Sequence, residues 1–195
     1  ERKLIKILLN FKNMKTIQKI LIVSLILFLG NTIFAQKLVC RDGQAKFLAS
    51  VPTALEEVAA TNNTVSAVLD PKTNEVAVLA LIKAFKFKVP LMEEHFNENY
   101  LESDKYPKAT FKGKLLNFDA TKVTANKATY QVEGDFTMHG VTKHIKLPAT
   151  ISKVNGKYVV AAIFTIKAAD YNIKIPSLVK QKVAEDVKIW ANFTM

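Results

Sequence analysis

A single cysteine, Cys40, stands in the 195-residue chain, so no internal disulfide can form. Lys37-Leu38-Val39 ahead of it lack the small side chains that lipid attachment near an N-terminus requires, and a free, partly buried thiol is expected. Histidines number three, His95, His139 and His144. A closed zinc site wants three or four ligands brought together, and nothing in this spacing forces that. The chain has no CxxC, no G-x-S-x-G elbow, no phosphate-binding loop and no dinucleotide glycine pattern. The adjacent acids Glu93-Glu94 and Glu185-Asp186 point apart on a helix or strand and read as solvated faces. No enzyme class, cofactor or metal is therefore indicated. Glycine and proline stand at six each, which excludes a fibrous or low-complexity chain. Beyond residue 36 the only arginine is Arg41. Nucleic-acid readers favour arginine for its planar fork, so the basic balance does not point to nucleic acid.

What is present begins with a leader. Lys15 and Lys19 precede the apolar run ILIVSLILFL at 20–29, and NTIFA follows. A basic stretch, a short apolar stretch and a small residue describe a secretory signal peptide. The run is about half the ~20 residues of a membrane span. The leader is assigned to residues 1–36, with cleavage near Ala35, and the mature domain to 37–195. Met14 begins a well-formed leader by itself, so residues 1–13 read as an over-extended start. A periplasmic or secreted location is expected. The full chain has 28 Lys and Arg against 17 Asp and Glu. Six of those bases and one acid fall in the leader, which leaves 22 against 16 and a net charge of +6. Such a balance favours weak peripheral contact with an anionic membrane. A homodimer stays open.

Most of the remainder alternates with the period of a half-buried strand. Ala128, Tyr130, Val132, Gly134, Phe136 and Met138 fall on one face, and Thr129, Gln131, Glu133, Asp135 and Thr137 on the other. Val141, Ile145, Leu147, Ala149 and Ile151 continue the pattern, with Lys143 interrupting it. Asn155-Gly156 is a hairpin signal. Further strands are read at 158–166, 187–193, 44–51, 64–70, 75–88 and 108–118, about eight in all. One helical segment is expected over 90–107, opened by Pro90 with Glu93 and Glu94 near its positive end. The fold class is all-β, a closed barrel or sandwich; an eight-stranded barrel has room for one small ligand.

GDFTMHGVTKHIKLP at 134–148 places two histidines five residues apart. Gly140 can take the positive φ of a tight corner, and His144 falls on the polar face of its strand. A structural hairpin corner is the leading reading; contact of His139 with a ligand's polar head stays open.

ESDKYPKATFKGK, followed by YQVEGDFTMHGVTKHIKLPATI, resembles the signature of the YceI-like family, the polyisoprenoid-binding proteins of bacterial envelopes. The resemblance covers roughly Pro90 to Met195. Nearer the N-terminus the family usually opens with a Trp-containing strand and a His-Ser pair, where this chain has LVCRDGQAKFLASVPTALEEV. The resemblance implies a single antiparallel, lipocalin-like barrel around a long apolar ligand.

Patterning supplies the candidates for its wall: Phe85 and Phe87 on one strand, Phe111 and Leu115 on another, Tyr130 and Phe136 on a third, and Phe164 on a fourth. Phe96 and Tyr100 come from the helical segment, as lid or plug. Tyr100, Tyr106 and His139 are candidates for a polar head at the mouth. Small residues on the inner faces, among them Gly113, Gly134, Ala128, Ala162 and Ala191, can leave a channel or merely offset bulky neighbours. A larger side chain at Gly134 is expected to project into any channel. The expected function is non-enzymatic binding, sequestration or transport of an isoprenoid, quinone tail or fatty-acid derivative. An envelope interaction protein with a filled barrel is the alternative, and a lipid-ester hydrolase ranks below both.

Overall fold

A computed structural model describes residues 36–195; the leader and its cleavage point lie outside the described residues. The strands are β1 (Leu38–Ser50), β2 (Ala59–Leu69), β3 (Glu75–Leu81), β4 (Lys86–Phe87), β5 (Lys108–Leu116), β6 (Ala128–Met138), β7 (Val141–Val154), β8 (Lys157–Lys167) and β9 (Val183–Thr194). They pair antiparallel in the order β1-β9-β8-β7-β6-β5-β3-β2, and β1 pairs with β2 to close an eight-stranded barrel. Closure leaves these strands no free edge to pair with another chain.

The expected strand 75–88 is in fact two pieces. β3 ends at Leu81, residues 82–84 form a 3₁₀ turn, and β4 resumes on the same edge of β2. The break has a cause distant in sequence. Asn62 on β2, fully buried, donates from its side-chain amide to the Leu81 carbonyl at 3.0 Å. The Ile82 N–H donates to the Pro107 carbonyl at 2.9 Å. That bond extends the β3–β5 register one residue beyond Leu81 and Lys108, whereas the Leu81 carbonyl is taken by a side chain.

The helical segment is also shorter than expected. Helix α1 spans Pro90–His95, runs into a π-helical turn at Phe96–Tyr100, and stops. Glu102 takes a left-handed φ of 42°, which the helix cannot continue through. Residues 82–107 form a strap from β3 to β5 across one end of the barrel. The loop 51–58, the β6–β7 turn and the β8–β9 connection lie at that same end.

The β6–β7 turn answers the question of the paired histidines. Met138 pairs with Val141 across it, and His139 and Gly140 have φ of 51° and 75°. Positive φ at both central residues is the twist that suits a two-residue hairpin. The opposite barrel end is filled. Leu69, Leu115, Val132, Leu147 and Ile151 pack there, and Ile151 is wholly buried.

Candidate functional site

Above this floor the barrel encloses a cavity of about 530 Å³, within the ~300–1,000 Å³ usual for small-molecule sites. Its origin is a row of small side chains. Ala45, Ala191, Ala162 and Ala149 are register partners across β1, β9, β8 and β7, and all four line the cavity. Four methyl groups side by side leave unfilled the depth that leucines or valines would occupy. The inward residues of β8, Val160, Ala162 and Phe164, are only half-buried because part of their surface faces this space.

Aromatic rings build the upper wall. Phe96 of the strap stacks on Phe47 of β1 with centroids 5.3 Å apart, and lies 5.1 Å from Phe87 and 6.0 Å from Phe85. Such aromatic pairs add about 0.5–1.5 kcal/mol each beyond area burial. They hold the strap inward. Leu101, 6% exposed, is its second anchor. Glu93 ties α1 to β4: its carboxylate pairs with the Lys86 ammonium and accepts the Phe87 N–H at 3.2 Å. The Lys86 hydrogen bond holds the Glu93 carboxyl below the usual carboxylate range. The strap is thus part of the wall, and its inner side chains are core.

Eight sequence candidates line the cavity: Phe85, Phe87, Phe96 and Tyr100 near the strap, with Phe111, Leu115, Phe136 and Phe164 on the strands. Two lie elsewhere. Tyr130 faces inward, but at the filled end, where its ring meets Phe118 edge-on at 5.2 Å. His139 is turned out of the cavity into a cleft beside the strap. Its Nδ1 lies 2.9 Å from the Tyr171 carbonyl, its Nε2 lies 2.9 Å from the Glu102 carboxylate, and its ring meets Tyr106 edge-on. Both partners accept, so only the doubly protonated ring donates to both at once. His139 therefore links the β6–β7 turn, the strap and the β8–β9 connection. Tyr106 packs on this ring and over Gly140, which leaves Tyr100 as the one head-group candidate on the cavity wall.

His144 is exposed on the outer face, 2.8 Å from Asp135 and 3.2 Å from Glu133. Among the described residues no group of three or more His, Cys, Asp and Glu side chains is placed to hold a metal ion. Cys40 is buried in the strand core with its thiol 3.5 Å from Asp42.

Sequence patterning missed Phe47, although Ala45, Phe47 and Ala49 alternate visibly in QAKFLASV. It also misjudged two small residues. Ala128 is exposed at the start of β6. A side chain on Gly134 would not reach the cavity: its Cβ would stand 2.3 Å from the Gly113 Cα and the Lys112 carbonyl oxygen. Gly113 and Gly134 are register partners, and their bare backbones let β5 and β6 approach closely. The Phe111 ring lies over Gly113.

The polar residues reaching the cavity are Lys46, Glu56, His95, Tyr100, Thr110 and Lys182. Glu56 and Lys182 belong to the connections at the open end. The interior is thus an apolar slot with a polar mouth.

Comparable barrels are known. A polyisoprenoid binding domain from Saccharophagus degradans, described as implicated in plant cell wall breakdown, superposes with a TM-score of 0.68 at 14% identity; the match covers 81% of this chain and 97% of that one. BcnA of Burkholderia cenocepacia gives 0.64 at 16% identity, covering 78% and 96%. The Campylobacter jejuni YceI protein gives 0.58 at 19% identity, covering 74% and 88%. No curated protein matches the chain by sequence. At such identities these likenesses establish the barrel alone. The family follows from the sequence itself, where the YceI-like domain matches residues 42–195. That match takes in most of β1 and all of β2 to β4, beyond the stretch from Pro90 that carried the visible resemblance, and the chain belongs to the YceI-like domain family.

Proposed function

We propose that the protein binds a long apolar lipid, such as an isoprenoid, quinone tail or fatty-acid derivative, inside the barrel and carries or sequesters it without chemistry. The observation that carries this reading is the cavity: about 530 Å³, bounded by alanines and phenylalanines, filled at one end and polar at the other. Each methylene buried there contributes roughly 0.8 kcal/mol. About ten carbons then offset much of the association cost of ~4–15 kcal/mol. Phe47, Phe96, Phe111, Phe136 and Phe164 would contact the chain, and Tyr100 its polar head. The polyisoprenoid-binding description of the Saccharophagus degradans domain supports the same ligand class. The leader pattern supports an exported protein, periplasmic or secreted, with residues 37–195 as its working domain.

Native mass spectrometry of protein purified from cells tests the reading. A stoichiometric lipid adduct is expected. A barrel that arrives empty and takes up no isoprenoid, quinone or fatty acid in detergent-free exchange would sink it and favour the interaction role.

A further inference from the structure

Two leucines, Leu55 and Leu178, are more than nine-tenths exposed, at 108% and 93%. Both sit at the open end of the barrel. Leu55 lies in the loop 51–58, whose Glu56 and Val58 line the opening. Leu178 lies in the 3₁₀ turn Ser177–Val179 of the β8–β9 connection, whose Val179 and Lys182 line it too. The Val51 N–H donates to the Lys182 carbonyl at 3.2 Å, which sets the two connections side by side. Leu91, 56% exposed, stands in the first turn of α1 and borders the same opening from the strap.

One exposed leucine needs no explanation. Three, on three of the segments around the mouth of an apolar cavity, form a rim. Its β8–β9 side is basic. Residues 172–182 carry Lys174, Lys180 and Lys182 and no acid; Lys180 pairs with Glu185 at 2.8 Å. The acids of the facing loop are Glu56 and Glu57.

We propose that this end docks on an anionic membrane surface. Leu55, Leu91 and Leu178 enter the acyl boundary while Lys174 and Lys182 meet phosphate groups. The inference rests on the lipid reading of the cavity and supplies its route. With the mouth against the bilayer, an apolar chain passes between membrane and barrel without crossing water.

Vesicle sedimentation of the purified protein tests it. The probes are vesicles of phosphatidylcholine and phosphatidylglycerol in equal parts, and of phosphatidylcholine alone. The variant is Leu55→Ser with Leu178→Ser, two positions where little folded contact is lost. Wild type should bind the mixed vesicles, more weakly as salt rises. The double variant should bind roughly tenfold or more weakly. Lys174→Gln with Lys182→Gln should reduce binding to mixed vesicles only. Wild type that ignores both vesicles, or leucine variants that bind as wild type does, would overturn the proposal. So would a solution dimer that the leucine substitutions dissolve, which assigns the rim to a second copy. Native mass spectrometry on the same samples separates the two readings. A lipid-loaded barrel that ignores vesicles defeats the docking alone. A lipid-free barrel that docks through these leucines defeats the cavity reading and keeps the surface.

Discussion

Two histidines of one hairpin meet opposite fates because their neighbours differ. His139, with a side chain 9% exposed, is a structural link; His144, 62% exposed, pairs with two carboxylates in water. The hydrogen bond to Asp135, then that to Glu133, raises the His144 pKa above its ordinary value. A folded value above the unfolded one stabilises fully below the unfolded pKa, and the gain is lost as pH rises through the folded value. His144→Gln should therefore lower the melting temperature at about pH 5.5 and by less at about pH 8.5. Calorimetry at both pH values checks this; equal losses would show the pair to be inert. Gly134 is decided by backbone instead. Because its Cβ would strike the Gly113 Cα and the Lys112 carbonyl, Gly134→Ala should cost about 1–3 kcal/mol or more in urea unfolding. A neutral substitution would mean that β5 and β6 separate easily there.

At the scale of elements, what the sequence disclosed depended on how local the cause was. The alternation from Tyr130 to Ile151 placed β6 and β7 on the correct faces, and the His139-Gly140 turn lay where positive φ was expected. Period two reports the face of a strand and not the height along the barrel. Tyr130 was for that reason assigned to the ligand, although it packs at the filled end against Phe118. The β3–β4 break was illegible because the side chain that takes the Leu81 carbonyl, that of Asn62, is distant in sequence. Asn62 satisfies several groups at once: it donates to the Leu81 carbonyl, and its carbonyl oxygen accepts the Thr64 N–H at 2.8 Å and the Thr64 hydroxyl at 2.9 Å. Asn62→Ala should cost about 2–3 kcal/mol, since each buried polar group left unpaired costs ~1–3 kcal/mol. Hydrogen exchange should show faster opening at Thr64 and in the strap. A loss under about 0.5 kcal/mol would show that the Asn62 amide does not hold the break.

At the scale of the whole molecule, the cavity is a consequence of register. Successive antiparallel pairings of β7, β8 and β9 align Ala149, Ala162 and Ala191, and the pairing of β1 with β9 brings in Ala45 from the other end of the domain. Ala162 stands within the row. In a close-packed core Ala162→Leu would overpack and cost about 1–3 kcal/mol. Against an open cavity the added side chain gains apolar contact, and stability should change by less than about 1 kcal/mol. The same leucine should narrow the slot and displace an alkyl chain. Ala161→Leu, one residue away on the outer face of β8, is the control and should leave lipid content unchanged. Thermal unfolding and native mass spectrometry of the two variants give the decision. Near-normal stability with lost lipid in Ala162→Leu alone locates the ligand beside the alanine row. Full lipid occupancy would show that the ligand does not reach this level of the barrel. A stability loss above about 2 kcal/mol would mean that the row packs as core, and the filled-barrel role would regain its claim.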